Sequence, residues 1–257
     1  MVAHPETLRA SRTLRNVPDA ALEALASSSQ EVRFEDGERL VPLVEPPLNL
    51  GVLLEGLAKL VGVTVEGEER IIYVYHPGEI YGEQLLIQES GIEDYEVIAM
   101  GRVRAVVFAI EDFLKVGVDH PALLVGVTRA LCLRLDTMND RLMAAMSEDA
   151  RIRLSQLLLD FAEHGARLSG ELVSLRYPLT HETMGQIIGA SRPHTTMVLK
   201  ALEDEGAVRR QGQKGLLVRP GRLREIVSRR GYELLREHED DAAWTWPRPL
   251  GRSREEK

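Results

Sequence analysis

The chain has 257 residues, 44% of them hydrophobic and 28% charged, with 32 Lys and Arg against 40 Asp and Glu for a net charge of −8, the composition of an ordinary soluble protein of one large or two smaller domains. No run of about 18 apolar residues is present, which argues against a membrane span, and the first residues lack the apolar core of a signal peptide, so the expected compartment is the cytoplasm. The single cysteine, Cys132, excludes an internal disulfide and a four-cysteine zinc or iron–sulfur site within one chain.

The charge is unevenly spread. Residues 1–150 carry 13 Lys and Arg against 25 Asp and Glu, whereas residues 151–237 carry 15 against 10. An acidic front half joined to a basic back half is the asymmetry expected when one domain alone touches a polyanion.

In chain order, residues 8–30 read as a short helical region whose apolar positions are Leu8, Leu14, Leu22 and Leu25. From Glu31 to Ile110 the texture changes to short runs such as LGVLL, AKLVGVTV, RIIYVY, YEVIAM and VRAVVFAI. Glycines, prolines and acidic turns separate them, at Gly37, Gly56, Gly67 and Pro77–Gly78 among others. Runs of that length and spacing predict an antiparallel sandwich or small barrel over the N-terminal 1–120. After Pro121 a long helix is predicted to about residue 147. Leu124, Leu131, Met138 and Ala145 recur every seven residues, with Thr128, Leu135 and Leu142 four residues after the first three. That is an a/d seam of more than three heptads, and a symmetric homodimer is its simplest partner.

The polar stretch at Ser147 ends the seam and marks the boundary of a C-terminal domain, 148–237. Its first helix, over about 149–165, is expected to be capped by Gly165. Then comes LTHETMGQIIGASRPHTTMVLKALEDEGAV. Thr180 caps one helix, Gly189 turns the chain, and Ser191 caps a second, with Pro193 tolerated in a first turn whose N–H groups have no intrahelical acceptor. Met184, Ile187, Ile188, Val198, Leu199 and Leu202 close the angle between them, so the pair reads as a helix-turn-helix. Arg192 can offer a bidentate fork to guanine and Lys200 can reach backbone phosphate. Beyond Gly206, VRRQGQKGLLV reads as a basic wing carrying Arg209, Arg210 and Lys214. The tail 238–257 shows no periodicity and reads as extended or disordered.

These features together resemble the CRP–FNR superfamily of bacterial transcription regulators, from about residue 30 to 230. The most specific stretch is 179–206. HPGEIYGEQLL, at 76–86, is similar to the family's Gly-Glu-x-x-Gly-Glu phosphate-binding segment. The resemblance implies an α+β fold: an N-terminal β-roll, a long dimerisation helix and a C-terminal winged helix-turn-helix. It also implies double-stranded DNA with an inverted-repeat operator and RNA polymerase as partners, and activation as the commoner outcome. By position, Arg192 matches the base-reading arginine, while Ser191, His194 and Lys200 match backbone-contacting positions. Pro193 and Met197 replace base-reading residues of the best-known member, so a different operator is implied.

The sensor pocket implied by the resemblance comprises Gly82, Glu83, Glu93, Asp94, Tyr95, Met138 and Asn139. Cyclic-nucleotide binders hold the phosphate with an Arg-Ser or Arg-Thr pair, where this chain has SGIEDYEV. An anion at about 4 Å in place of that cation costs about 4 kcal/mol at an effective dielectric near 20. Met138 and Asn139 likewise replace the residues that face the adenine. Control by cyclic AMP is therefore not expected, and no cofactor or metal is assigned. His76, before Pro77, reads as a solvated loop residue rather than a haem ligand. Two rival readings remain: a cyclic-nucleotide-responsive regulator whose phosphate is held by Arg102 or Arg104, and a ligand-binding regulatory subunit or barrel enzyme. No catalytic constellation supports an enzyme.

Overall fold

The β-branched runs between Ser29 and Ala109 pair into one antiparallel sheet in the computed structural model, which describes residues 3–41, 49–63, 67, 69–86, 95–146, 149–168, 171–212 and 215–228. Its strands are β1 (Ser29–Phe34), β2 (Asn49–Val63), β3 (Glu69–Tyr75), β4 (Ile80–Tyr81) and β5 (Tyr95–Ala109), in the order β1-β5-β2-β3 with β4 against β2. Two predicted breaks are not breaks. LGVLL and AKLVGV fuse into the 15-residue β2, and YEVIAM and VRAVVFA into the 15-residue β5. The register between them shifts on both sides of Glu55. There Gly56 adopts φ +84°, and a Cβ would strike the Arg102 carbonyl. A glycine bulge therefore bends the ribbon where the sequence suggested a turn.

Curling of the sheet encloses one core of Leu53, Ala58, Tyr73, Tyr75, Tyr81, Val97 and Ala105. A second core covers one end. The 8–30 region is not one helix but two, α1 (Pro5–Arg9) and α2 (Asp19–Ser27), with Pro18 at the α2 N-cap. Leu8, Leu14, Leu22 and Leu25 pack there with Val106 and Phe108 of β5 and with Phe113, Leu123 and Val127. Phe113 belongs to α3 (Ile110–Asp119), a helix the strand pattern did not suggest, and Leu123 and Val127 to α4 (Pro121–Ala145).

Asp149 caps α5 (Ala150–Glu163) by accepting from the Arg151 N–H at 2.9 Å. The helix ends one residue earlier than expected, with His164 as C-cap. Gly165 does not take the left-handed conformation of a cap. It is needed for space, because a Cβ would lie 2.7 Å from the Ser174 carbonyl and strike Val173. Then follow β6 (Ala166–Arg167), β7 (Val173–Ser174), α6 (His181–Ile188), α7 (Arg192–Asp204), β8 (Val208–Gln211), β9 (Gly215–Val218) and α8 (Pro220–Ser228). The small strands form a second sheet in the order β6-β7-β9-β8. Their core, with Leu154, Leu158, Met184, Leu199, Leu202, Val218 and Leu223, is continuous with Leu57, Ile71 and Val74 of the larger sheet. An α+β fold of antiparallel sheet, long helix and winged helix-turn-helix is the architecture the sequence pattern predicts.

Candidate nucleic-acid interface and sensor pocket

The helix-turn-helix is built by local chemistry. Thr180 caps α6, its Oγ1 accepting from the Thr183 N–H at 3.0 Å. At the other end Gly189 sits at φ +65°, ψ +41°, the left-handed position that ends a helix most cheaply when the residue is glycine. Ser191 caps α7 by accepting from the His194 N–H at 3.4 Å. Thr195 is fully buried, its hydroxyl donating to the Ser191 carbonyl at 3.0 Å. Met184, Val198, Leu199 and Leu202 are buried between the helices, and Ile188 with them.

The outer face of α7 is left to solvent. Arg192, Pro193, His194, Thr196, Met197 and Lys200 are all exposed, Met197 by 62%. Arg209 and Arg210 are exposed on β8, and Arg210 Nε lies 3.3 Å from Glu203. Lys214 lies outside the described residues. The cationic field of this face is felt at His181, whose imidazole accepts from or donates to Thr196 at 2.7 Å. Burial, Arg210 and Arg192 together hold its pKa below the ordinary value. Arg192, Lys200, Arg209 and Arg210 are all exposed in the helix-turn-helix and its wing, and exposed cationic side chains attract phosphate.

The residues expected in the sensor pocket differ in their exposure. Glu83 is buried and ion-paired with Arg134 of α4. Arg134 also donates to the Ile80 carbonyl at 2.5 Å and lies 4.8 Å and 5.0 Å from the Tyr75 and Tyr73 ring centres. Burial pushes the Glu83 carboxyl up, and the adjoining guanidinium pulls it back. Met138 packs against the same core. Tyr95 and Asn139, by contrast, are exposed. Glu93 and Asp94 lie outside the described residues. Arg102 and Arg104 face outward: Arg104 bonds Glu31 at 3.0 Å and Glu55 at 2.6 Å, and Arg102 is 3.7 Å from Glu35. The cation at this site is Arg134, which the sequence reading missed. Its place one helical turn before Met138 was the available signal.

His76 corrects a second expectation. It is 3% exposed, not solvated. Its ring stacks on His164 with centroids 3.9 Å apart and planes 5° from parallel, and Phe161 meets it edge-on at 4.8 Å. Burial, foremost, holds both imidazoles below their ordinary pKa. Helix α5 covers the loop, a contact no local pattern announces. A further tie joins α4 to α5, where Arg141 Nε lies 2.7 Å from Asp160, which also accepts from Gln156 at 3.0 Å.

On α4 the seam is open. Leu135 and Leu142 are each 60% exposed, and Leu124, Thr128 and Ala145 are exposed with them, while Leu131 and Met138 are half-buried.

A sheet-built N-terminal part, a long helix with an open apolar face and a winged helix-turn-helix define the architecture of a DNA-binding regulator. Comparison with known proteins agrees: the cyclic nucleotide-binding domain family matches residues 31–120 and the Crp-like helix-turn-helix domain matches 152–226. The chain is 26% identical over 218 residues to a CRP-like cAMP-activated global transcriptional regulator of Mycobacterium tuberculosis, covering 85% of this chain and 97% of that one. It is 29% identical to the cyclic AMP receptor protein of Thermus thermophilus, covering 62% of this chain and 70% of that one. In fold it is similar to FixK2 of Bradyrhizobium japonicum, with a TM-score of 0.65 at 15% identity, covering 77% of this chain and 96% of that one. The chain belongs to the CRP–FNR family and is a DNA-binding transcription regulator. Among the described residues no single helix is long and apolar enough to cross a membrane.

Proposed function

We propose that this regulator reads an inverted-repeat operator as a homodimer, with α7 in the major groove. One observation carries the reading: the exposed first turns of α7 present Arg192, Pro193, His194 and Met197, with Lys200 behind them and the Arg209–Arg210 wing beside them. Arg192 reads a base edge. Ser191, His194, Lys200, Arg209, Arg210 and Lys214 hold backbone phosphate, and Pro193 and Met197 shape the apolar part of the contact. Pairing of two α4 seams through Leu124, Thr128, Leu131, Leu135, Met138, Leu142 and Ala145 sets two recognition helices about 34 Å apart, one turn of duplex. At a cytoplasmic promoter such a dimer brings RNA polymerase to its flank and acts as an activator. It performs no catalysis of its own.

The operator is bound without cyclic nucleotide. Arg104 is engaged by Glu31 and Glu55 and Arg102 lies on the outer surface, so neither serves a phosphate inside the roll. Ligand-free protein is expected to bind a selected operator at about 10⁻⁸ M or tighter at physiological salt. Millimolar cAMP or cGMP is expected to change that by less than about twofold. One observation favours the second reading, a cyclic-nucleotide response: Arg134 stands buried beside Glu83 and could supply the missing cation. A tightening of about tenfold by either nucleotide, abolished by Arg134→Gln, would establish it in place of the first.

A further inference from the structure

The outer side of the helix-turn-helix carries a second imidazole besides His194. His181 is the first residue of α6, directly after the N-cap Thr180, and is half-buried. Its Nδ1 lies 2.7 Å from the hydroxyl of Thr196, an exposed residue of α7 one turn beyond Arg192. A hydroxyl has one proton to give. Thr196 gives its own to the Arg192 carbonyl at 3.0 Å, so its oxygen accepts from His181 and the imidazole proton sits on Nδ1. That leaves Nε2 as the basic atom of the ring. Nε2 has no partner among the described residues and is not enclosed.

The surroundings keep that ring neutral in the free protein. Partial burial acts first, followed by the cationic side chains of Arg210 on β8 and Arg192 on α7, and together they hold its pKa below the ordinary value. These two arginines are the charged groups that act on it among the described residues, although α5, α7 and β3 all pack against α6. Both are exposed, and Arg210 is shared with Glu203 at 3.3 Å. The neighbours that oppose protonation in the free protein are thus the ones that draw phosphate to this face. A phosphate oxygen arriving there reverses the balance, because an anion beside the ring favours its charged form. Protonated Nε2 then becomes a donor, and its bond to phosphate is of the strong, charge-assisted kind.

We propose that His181 takes up a proton from solvent when duplex DNA docks on α7, and that its Nε2–H then donates to a backbone phosphate. Nδ1 keeps its bond to Thr196 throughout, so α7 holds the ring in place while its charge changes. DNA affinity is thereby coupled to pH. A proton held more tightly in the complex than in the free protein makes the association constant rise as pH falls, over the window between the two pKa values. The lower end of that window lies below 6.5. The buried His76–His164 pair acts in the opposite direction, since acid there lowers the stability of the fold. The proposal rests on α7 facing DNA but not on the operator sequence or on dimerisation, because a phosphate contact carries no base sequence.

Fluorescence anisotropy of a short mixed-sequence duplex with the full-length protein, at constant ionic strength from pH 6 to pH 8, tests the coupling. The wild-type association constant is expected to fall at least about threefold per chain across that range. His181→Gln, which keeps a donor for Thr196, should lose this dependence, whereas His194→Gln should retain it. His181→Arg, charged throughout, should be insensitive to pH and bind at pH 8 at least about threefold more tightly than the wild type. The Cε1–H resonance of His181 in the wild type should move to its protonated position when duplex is added at pH 6.5, a reading that stands whether or not the variants fold. A wild type whose binding is flat in pH, a His181→Gln variant with the full wild-type dependence, or a resonance unmoved by duplex would each overturn the proposal. If Lys200→Ala then also leaves binding unchanged, the docking of α7 falls with it; if Lys200→Ala weakens binding, proton uptake at His181 alone is refuted.

Discussion

Removal of the two leucines at the middle of the α4 seam, Leu135→Ala with Leu142→Ala, tests whether this face is what joins two chains. Each side chain is 60% exposed in the single chain. Full burial of a leucine is worth about 1.5–3 kcal/mol, so the exposed part has about 1–2 kcal/mol still to gain from a partner. Four such side chains meet in a symmetric pair, which makes their joint contribution about 4–7 kcal/mol. The dimer dissociation constant should then rise by about three to five decades. The subunit itself should keep its fold, because α4 is anchored to its own core by Leu123 and Val127, both buried on another flank. Sedimentation equilibrium over a range of concentrations measures the shift, with thermal melting as the control on folding. A folded double variant whose association constant stays within about tenfold of the wild type would refute the seam as the interface. So would a wild type that is monomeric at micromolar concentration and yet binds an inverted repeat tightly.

Arg192→Ala should flatten base preference at one position of each half-site by about 1–3 kcal/mol, as read by competition among single-base operator variants. Lys200→Ala should weaken all duplexes alike and lower the salt slope by about one; unchanged binding in both variants would count against the docking of α7. Gly185→Val should abolish operator binding and lower stability by about 1–3 kcal/mol, because a Cβ there already sits 2.6 Å from the Ala190 carbonyl in the turn between α6 and α7. A pH effect follows from the His76–His164 stack, around which stand Phe161, Glu79, Arg12, Arg141 and the Asp160 carbonyl. Both imidazoles are held below 6.5 by burial, so as pH falls below about 6.5 the unfolded chain takes up protons first and stability drops. The loss is up to about 1.4 kcal/mol per pH unit for each imidazole that stays neutral in the fold. Denaturant melts at pH 7.5 and 5.5 should show it, and His76→Phe should remove about half; a variant with the full wild-type pH dependence would contradict the assignment.

How legible these features were in the sequence depended on how local their causes are. Thr180, Gly189 and Ser191 announced the helix-turn-helix because each acts within one turn of backbone: a side-chain oxygen meets an N–H three residues on, or a glycine adopts a left-handed conformation. The seam of α4 was legible for the same reason, since Leu124, Leu131 and Leu135 repeat within one rigid element whose geometry is fixed by its period. Gly56 was harder to read. A glycine with positive φ serves a turn or a bulge equally well, and only the pairing of β2 with β5 decides between them. The only local mark of Arg134 among the arginines of α4 was its place one helical turn before Met138. Its role comes from Glu83, 51 residues earlier.

The sequence alone therefore determined the order of sheet, long helix and helix-turn-helix, the capping of the last by Thr180, Gly189 and Ser191, the apolar repeat of α4 and the charge division between the two halves. Tertiary structure alone decided which charges and rings meet. His76 lies in a Pro-Gly turn whose sequence reads as solvated, and it is buried because Phe161 and His164 of a distant helix close over it. Periodicity and capping are properties of neighbours along the chain, whereas burial and ion pairing depend on where distant segments come to rest.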